Sequence, residues 1–406
     1  MSAPHRSSRT IPGPLHLAAG AVLRKVRCGD VTIELPDGAQ HRFAGPEPGP
    51  SAFLKIHDNA VVRRIISGGT IAVAETYMDG LWDSPDLGAV LDFGHANLSA
   101  GWVANVPPIM RPFHRLWHKK RDNDPSGGAK RNIAYHYDLG NDFYKLWLDE
   151  TMTYSSACFT GAGGEELGRD QLAAAQRRKW DRILDLLQPG ARDHILEIGC
   201  GWGGFAAHAA KESGCRVTGI TLSEEQAQLA RELVRREDLE GRVDIRLQDY
   251  REMPGTFSGI ASLEMFEAVG EKWWPTFFRS VKGLLDPGAV AAMQVITIED
   301  TRFEEYRRIP DFTQRYIFPG GMLPSPERFK SVAQSQGLSV SDPYFFGRDY
   351  ARTLEAWAER FEAALPQVRE LGFDERFIRM WHYYLAYCRT GFLFGSIDVM
   401  QVKLES

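Results

Sequence analysis

The chain has 406 residues, of which 43% are hydrophobic, 25% charged and 11% aromatic, and its formal net charge is −5. These values are ordinary for a folded protein and exclude collagen-like, coiled-coil and intrinsically disordered chains. The apolar runs are shorter than the ~18 to 20 residues that cross a bilayer, so no transmembrane helix is predicted. The negative charge argues against a nucleic-acid-binding protein, and the length predicts a catalytic domain with a smaller appended domain.

The N-terminal segment does not predict a signal peptide, because Pro12 and Pro14 interrupt the apolar stretch that follows Arg6 and Arg9. The five cysteines are widely spaced and include no C-x-x-C pair. Disulfides and structural zinc are therefore not expected, and a reducing compartment is favoured. We expect the protein in the cytoplasm.

Sequence patterns in the first third of the chain predict a small α+β domain. A basic, aromatic segment at its end favours binding to a membrane surface. Residues 31–35 are typical of a strand, and turn signals follow at 36–38 and 45–50. In residues 110–121 (MRPFHRLWHKKR), apolar side chains at helical spacing share a face flanked by cations, as in segments that lie at a membrane interface. An ordinary packed helix with a solvated basic side fits this pattern equally well.

The next residues, 122–128 (DNDPSGG), have the composition of a linker. We therefore predict an N-terminal lipid-associating domain over 1–121, a linker over 122–131 and a catalytic domain over 132–406.

Strands alternate with helices in the predicted catalytic domain, which is typical of an α/β fold with a mostly parallel, Rossmann-like sheet. The predicted helices are 205–213 and 223–237. The predicted strands are 194–198, 216–222, 243–247, 260–265, 289–296 and 399–404. Ser223 and Gln226 fit a capping box at the start of the second helix, in which the Gln226 side chain reaches back to the Ser223 backbone.

A glycine-rich turn follows the strand at 194–198. Residues 196–204 read LEIGCGWGG, which satisfies the G-x-G-x-x-G pattern of dinucleotide-binding folds. Such folds place an acid about 20 residues after the first glycine to hold the ribose, but residues 219–222 read GITL. The acid lies before the glycines instead, at Glu197, and E-x-G-x-G-x-G resembles motif I of class I S-adenosylmethionine-dependent methyltransferases.

A wider set of segments, in chain order, resembles the cyclopropane-fatty-acyl-phospholipid synthase family, which includes the mycolic acid cyclopropane synthases. The resemblance runs from about Asn132 to the C-terminus, whereas the N-terminal domain resembles the family's lipid-binding domain only loosely. The segments that carry it are 136–144, 152–156, 196–205, 221–226, 247–250, 265–270, 316–320 and 347–350.

The resemblance implies transfer of a methylene from S-adenosylmethionine to the cis double bond of an unsaturated phospholipid acyl chain, forming a cyclopropane. It also implies a homodimer at the inner face of the membrane. The cofactor-binding residues that it implies form a loop over the methionine end, a backbone cradle, a ribose side and an adenine edge. In chain order they are Tyr154, Ser155, Glu197, Gly199, Gly201, Gly203, Thr221, Gln226, Gln248 and Asp249.

Members of this family hold a bicarbonate ion that removes a proton from the carbocation left by methyl transfer. The resemblance places Glu267, Tyr350 and the Ile296 backbone at that ion. Glu267 would accept a hydrogen bond from bicarbonate and Tyr350 would donate one.

The chain departs from the best-known members at two positions of this site. Ser156 stands where they have cysteine, and Gln294 stands where they have a bicarbonate-binding histidine. Because glutamine cannot become cationic, anion affinity and the fate of the carbocation are open. A methyl-branched, unsaturated acyl chain is therefore the close alternative product. A small-molecule methyltransferase and a non-catalytic lipid-binding protein are the remaining alternatives.

Overall fold

The computed structural model describes residues 26–97, 139–161 and 163–406. The basic segment 110–121 and the predicted linker 122–131 lie outside the described residues, so both stay predictions. The chain divides into two compact units within the described ranges. Residues 26–97 and Glu375–Tyr383 belong to one unit, and 139–161, 163–374 and 384–406 belong to the other.

Residues 26–97 of the first unit contain a four-stranded sheet and two helices, which confirms the predicted α+β module. The sheet has the order β2-β1-β3-β4, with β1 parallel to β3 and antiparallel to β2. Asp86 begins the second helix by accepting a hydrogen bond from the Ala89 amide at 2.9 Å. The elements are β1 (Cys28–Glu34), β2 (Gln40–Ala44), β3 (Glu47–Ile56), α1 (Ala60–Met78), β4 (Trp82–Asp83) and α2 (Leu87–Ala96).

The second unit is built on a seven-stranded sheet. Its strands are β5 (His194–Ile198), β6 (Arg216–Thr221), β7 (Val243–Leu247), β8 (Phe257–Leu263), β9 (Leu285–Ile298), β10 (Ser339–Phe345) and β11 (Ile397–Glu405). The helices are α3 (Asn141–Lys145), α4 (Leu172–Leu187), α5 (Gly204–Ser213), α6 (Glu224–Arg236), α7 (Trp274–Leu284), α8 (Asp300–Tyr306), α9 (Phe312–Tyr316), α10 (Pro326–Ser335), α11 (Gly347–Ala363) and α12 (Leu365–Glu370). A further helix, α13 (Glu375–Leu393), begins in residues of the first unit and continues in this unit from residue 384.

The sheet order is β10-β11-β9-β8-β5-β6-β7. Strands β5 to β9 are mutually parallel, and β11 runs antiparallel between β9 and β10. This arrangement confirms the predicted Rossmann-like fold with a mostly parallel sheet. Parallel strands end at one edge, so the turns after β5, β6, β7 and β8 meet along the carboxyl edge of the sheet, where ligands of α/β proteins bind.

The core covers both faces of the sheet. Ile195 of β5 packs in one apolar cluster and Leu196 and Ile198 pack in the other, because successive side chains of a strand point to opposite faces. Burial on both faces explains why β5 is an almost continuous apolar run. No helix of the described residues is long and apolar enough to cross a membrane.

The strand predictions need two corrections, one to the end of a predicted strand and one for a strand that was not predicted. The strand predicted over 260–265 ends at Leu263, because Glu264 adopts a left-handed backbone with φ +52°. Strand β10 was not predicted, and its sequence contains Pro343, which is unfavourable inside a sheet. It forms because it lies at the edge of the sheet and its pairing with β11 shifts register between Ser341 and Tyr344.

Candidate active site

The glycine turn between β5 and α5 has an open side. Gly199, Gly201 and Gly203 all have positive φ, at +83°, +51° and +85°. A Cβ atom on Gly199 would lie 2.6 Å from Met265, and one on Gly203 would lie 3.0 Å from Ala230. A Cβ on Gly201 would meet nothing within 4 Å. The outer glycines therefore permit close packing, whereas Gly201 leaves its backbone open to a ligand.

Glu197 is a buried acid beside this turn. Its side chain is on β5 and the residue is 3% exposed. Burial raises its pKa to about 8, against the opposing effects of the Ala206 amide and the Lys179 charge. Its Oε2 atom has no hydrogen-bond partner among the described residues. A polar ligand at the turn would satisfy such an atom, and the turn therefore fits a bound nucleoside-type group.

Thr221 and Gln226 meet at the end of β6. The Thr221 hydroxyl donates to Gln226 Oε1 at 2.8 Å, and the Gln226 amide N–H donates to Ser223 Oγ at 3.2 Å. The cap by the Ser223 hydroxyl is confirmed. The predicted return bond is wrong, because the Ser223 amide donates to Thr221 Oγ1 instead.

Gln248 and Asp249 follow β7, next to the end of β6. The Gln248 amide N–H donates to the Thr221 carbonyl at 3.1 Å, which joins the two strand ends. Its side-chain amide donates to the Glu252 carbonyl at 3.1 Å. Asp249 caps the short 3₁₀ helix Tyr250–Glu252 and pairs with Arg251. The structure therefore brings Thr221, Gln248 and Asp249 to the same edge as the glycine turn, although Asp249 already has a cationic partner.

Tyr154 and Ser155 lie in the loop before α4. The Tyr154 hydroxyl shares a hydrogen bond with the Tyr384 hydroxyl at 2.9 Å, and its ring packs 5.3 Å from the ring of Trp357. Ser155 Oγ accepts from Lys179 Nζ at 2.7 Å. The glycine turn is tied to α3 nearby, because Trp202 Nε1 donates to Asn141 Oδ1 at 2.7 Å. These contacts surround the predicted cofactor residues with aromatic side chains.

A second polar cluster is centred on Glu264, directly after β8. Its Oε1 accepts from the Ser156 amide N–H at 2.8 Å and from Gln294 Nε2 at 2.6 Å. Its Oε2 accepts from the Tyr350 hydroxyl at 2.7 Å. Burial raises the pKa of Glu264, although the Lys179 charge and these hydrogen bonds lower it. The structure thus unites three of the predicted catalytic residues around an acid that was not predicted.

Glu267 lies one turn further on, in the 3₁₀ helix Phe266–Ala268. Its Oε1 accepts from the Ile296 amide N–H at 2.5 Å, and its Oε2 has no hydrogen-bond partner among the described residues. Burial raises the pKa of Glu267 to about 8, and the neighbouring Glu264 charge adds to this effect. All five predicted catalytic residues therefore contact either Glu264 or Glu267, or are Glu267 itself.

Lys179 is a fully buried cation close to this cluster. Its Nζ donates to Ser155 Oγ and, at 2.5 Å, to Gln176 Oε1. Burial lowers its pKa to about 8, while the Glu264 charge acts in the opposite direction. Neither Lys179 nor Glu264 was predicted from the sequence. The available signal for Glu264 was an acid directly after a buried strand, the position at which ligand-binding acids of α/β folds occur.

The sheet order, the glycine turn and the acid before it define a class I S-adenosylmethionine-dependent methyltransferase. A family model described as mycolic acid cyclopropane synthetase matches residues 126–402, and the chain belongs to this family. The predicted family resemblance is therefore confirmed.

Two curated relatives cover most of the chain. It is 40% identical to the tuberculostearic acid methyltransferase UfaA1 of Mycobacterium tuberculosis, over 97% of this chain and 92% of that protein. It is 36% identical to the cyclopropane-fatty-acyl-phospholipid synthase of Escherichia coli K12, over 86% of this chain and 87% of that protein. The two names describe different products, so membership of the family leaves the product open.

Among solved structures, the chain is similar to the mycolic acid cyclopropane synthase CmaA1 complexed with SAH and CTAB. The TM-score is 0.62 at 30% identity, and the match covers 68% of this chain and 98% of that one. The similarity supports the assignment of the second unit to the methyltransferase fold.

Proposed function

We propose that this methyltransferase transfers the methyl group of S-adenosylmethionine to the cis double bond of an unsaturated phospholipid acyl chain. The observation that carries the proposal is the Glu264 carboxylate, held by three donors at the carboxyl edge of the sheet. Attack by an alkene leaves a carbocation that must later lose a proton. A fixed carboxylate at the reaction site supplies what that step requires.

The residues around the glycine turn fit the cofactor. Gly201 would offer its open backbone, Glu197 its unpartnered oxygen, and Tyr154 and Ser155 would cover the methionine end. Thr221, Gln226, Gln248 and Asp249 would surround the ribose and the adenine edge. When bound, S-adenosylmethionine supplies an electrophilic methyl group on a sulfonium centre.

The chain's own side chains would supply positioning and exclusion of water. An isolated alkene is a weak nucleophile, so its carbons must be held close to the methyl group in a dry site. Tyr154, Trp357 and Tyr350 form a packed aromatic group beside Glu264. Their ring faces would stabilise the positive charge that develops on the acyl chain.

Two products are possible from the same carbocation. Loss of a proton from the new methyl group closes a cyclopropane, and the similarity to the Escherichia coli synthase supports this first candidate. Loss of a proton that leaves a double bond gives a methyl-branched, unsaturated chain. The similarity to UfaA1 over nearly the whole chain, together with glutamine at position 294, supports this second candidate.

Mass spectrometry separates these candidates. Purified protein is incubated with S-adenosylmethionine and vesicles of a cis-unsaturated phospholipid, and the acyl chains are examined for a gain of one CH₂. Catalytic hydrogenation under mild conditions then distinguishes a surviving double bond from a cyclopropane. Vesicles of a saturated phospholipid are the matched control. No gain of CH₂ from any cis-unsaturated phospholipid would contradict the proposal.

Binding to a membrane surface and formation of a homodimer are separate parts of the proposal. Replacing Lys119, Lys120 and Arg121 with glutamine should weaken binding to anionic vesicles by about 1 kcal/mol per charge. Replacing Arg235 and Arg236, which are exposed on α6, is the matched control and should have a smaller effect. Equal losses would argue against a specific basic segment, and sedimentation velocity would test the dimer.

A further inference from the structure

Glu264 has a backbone conformation that acidic residues seldom adopt. Its φ is +52°, in the left-handed region, at the point where β8 ends. Such conformations are strained for residues other than glycine and cluster at functional sites. This conformation directs the carboxylate to the Ser156, Gln294 and Tyr350 donors.

These three donors are the groups that the family resemblance assigned to bicarbonate. The fourth predicted donor, the Ile296 amide, donates to Glu267. The Gln294 side chain is also fixed on its other side, because its Oε1 accepts from Gln401 Nε2 at 3.0 Å. All four predicted donors therefore already have protein acceptors. The residues present do not fit a bound bicarbonate, because the anion would have to displace a carboxylate that makes the same bonds.

The charges nearby support the same conclusion. Lys179 is buried next to the cluster and interacts favourably with Glu264, whereas Glu267 and Glu264 repel each other. A further anion beside Glu264 would add repulsion, and Lys179, the buried cation described there, already has Glu264 as its counter-charge.

We propose that the Glu264 carboxylate takes the place of bicarbonate in this protein and is the base that accepts the proton from the acyl carbocation. The inference rests on the proposed function, because it concerns the proton that alkene methylation releases. A carboxylate has about four acceptor positions, and three donors leave one on Oε2. Glu264 is partly buried, which shields its carboxylate from most of the bulk water.

The proton balance is simple in both product cases. A C–H bond of the methylated acyl cation breaks, and its electron pair forms the third ring bond or a new double bond. The proton bonds to Glu264 Oε2, and it leaves to solvent after the product departs. No other reactant is needed.

The test compares wild-type protein with Glu264→Gly and Glu264→Gln. Each protein is assayed in buffer from which CO₂ has been removed, and again after bicarbonate has been added. Glycine suits the positive φ and opens space for an anion, whereas glutamine fills the space without a basic carboxylate. We expect wild-type turnover to be unchanged by bicarbonate and both variants to lose about 10²-fold or more without it. Millimolar bicarbonate should restore at least about 10-fold to Glu264→Gly and nothing to Glu264→Gln.

A binding measurement makes the test independent of turnover. ¹³C-bicarbonate is titrated into each SAM-free protein and followed by NMR, and binding is expected for Glu264→Gly only. Asp238→Gly, which changes an exposed residue of similar φ, +54°, is the control for the backbone change. Binding of bicarbonate to the wild type, or loss of its turnover when bicarbonate is removed, would overturn the inference. If the wild type produced no methylated lipid, the proposed function would be overturned instead. The titration would still show whether Glu264 occupies the position of bicarbonate.

Discussion

The cofactor region and the reaction region lie on the same edge of the sheet but are built differently. The cofactor region, formed by the glycine turn, Thr221, Gln226, Gln248 and Asp249, relies on backbone turns and on bonds between near neighbours in sequence, such as Thr221 to Gln226. In the reaction region, formed by Ser156, Glu264, Glu267, Gln294, Ile296 and Tyr350, the bonds of Glu264 join residues 30 to 108 positions apart. A local motif can bind a common cofactor, whereas the chemistry depends on side chains that only the fold brings together.

The electrostatics of the two regions differ as well. In the cofactor region Asp249 is neutralised by Arg251, and Glu197 is the buried acid without a second partner among the described residues. In the reaction region two acids lie close enough to influence each other, with Lys179 as the nearby cation. We therefore expect changes in the first region to affect binding and changes in the second to affect turnover.

The largest expected effect comes from Gly201→Val. Valine would be strained at a φ of +51° and its side chain would enter the open space that faces the proposed ligand. The dissociation constant for S-adenosylmethionine should rise by roughly 100-fold or more, as measured by isothermal titration calorimetry. Gly372→Val is the matched control, because Gly372 also has a positive φ, +90°, and free space at its Cβ, but no cofactor role is proposed for it. Unaltered binding by Gly201→Val would place the cofactor elsewhere.

Glu267→Gln should lower turnover and leave cofactor binding nearly unchanged, the opposite of Gly201→Val. The amide oxygen can still accept from the Ile296 N–H, so the local structure should persist, but the titratable carboxyl group, whose pKa burial raises to about 8, is lost. We expect turnover to fall by about 10²-fold while cofactor affinity changes less than about twofold. The nearby Glu271→Gln, which alters the ion pairs of Glu271 with Arg307 and Arg328, should change neither. Equal loss of binding and turnover in Glu267→Gln would remove the distinction between the two regions.

The same difference explains how much could be predicted. The alternation of strands and helices, the glycine turn and Glu197 are local patterns, and they predicted the parallel sheet and the cofactor edge. The sequence pattern places Glu264 inside the predicted strand 260–265, and the left-handed backbone conformation of Glu264 has no local signature in the sequence. Its three bonds, like the burial of Lys179, follow from how the loop that contains Ser156 packs with β9, α4 and α11 around the end of β8. The resemblance indicated the right positions, but it could not reveal that one of the chain's own acids occupies their centre.

The smallest expected effect concerns the stability of the cofactor region. Burial raises the pKa of Glu197 to about 8, so the folded protein holds a proton that the unfolded chain, with an ordinary pKa of 4.5, has lost. Between these two pKa values folding binds a proton, and stability must therefore fall as pH rises from about 4.5 to about 8.

Glu197→Gln removes this titration and keeps the shape of the side chain. The difference in Tm between the variant and the wild type should therefore increase from pH 5 to pH 8, by on the order of 5 °C. Differential scanning fluorimetry of both proteins without S-adenosylmethionine measures this difference. Glu267 and Lys179 titrate in both proteins, so the difference isolates Glu197. Parallel Tm curves would mean that Glu197 is ionised in the folded protein. The cofactor region would then contain a buried carboxylate whose charge is balanced by its surroundings, as Lys179 balances Glu264 in the reaction region. The two regions would no longer differ in their electrostatics.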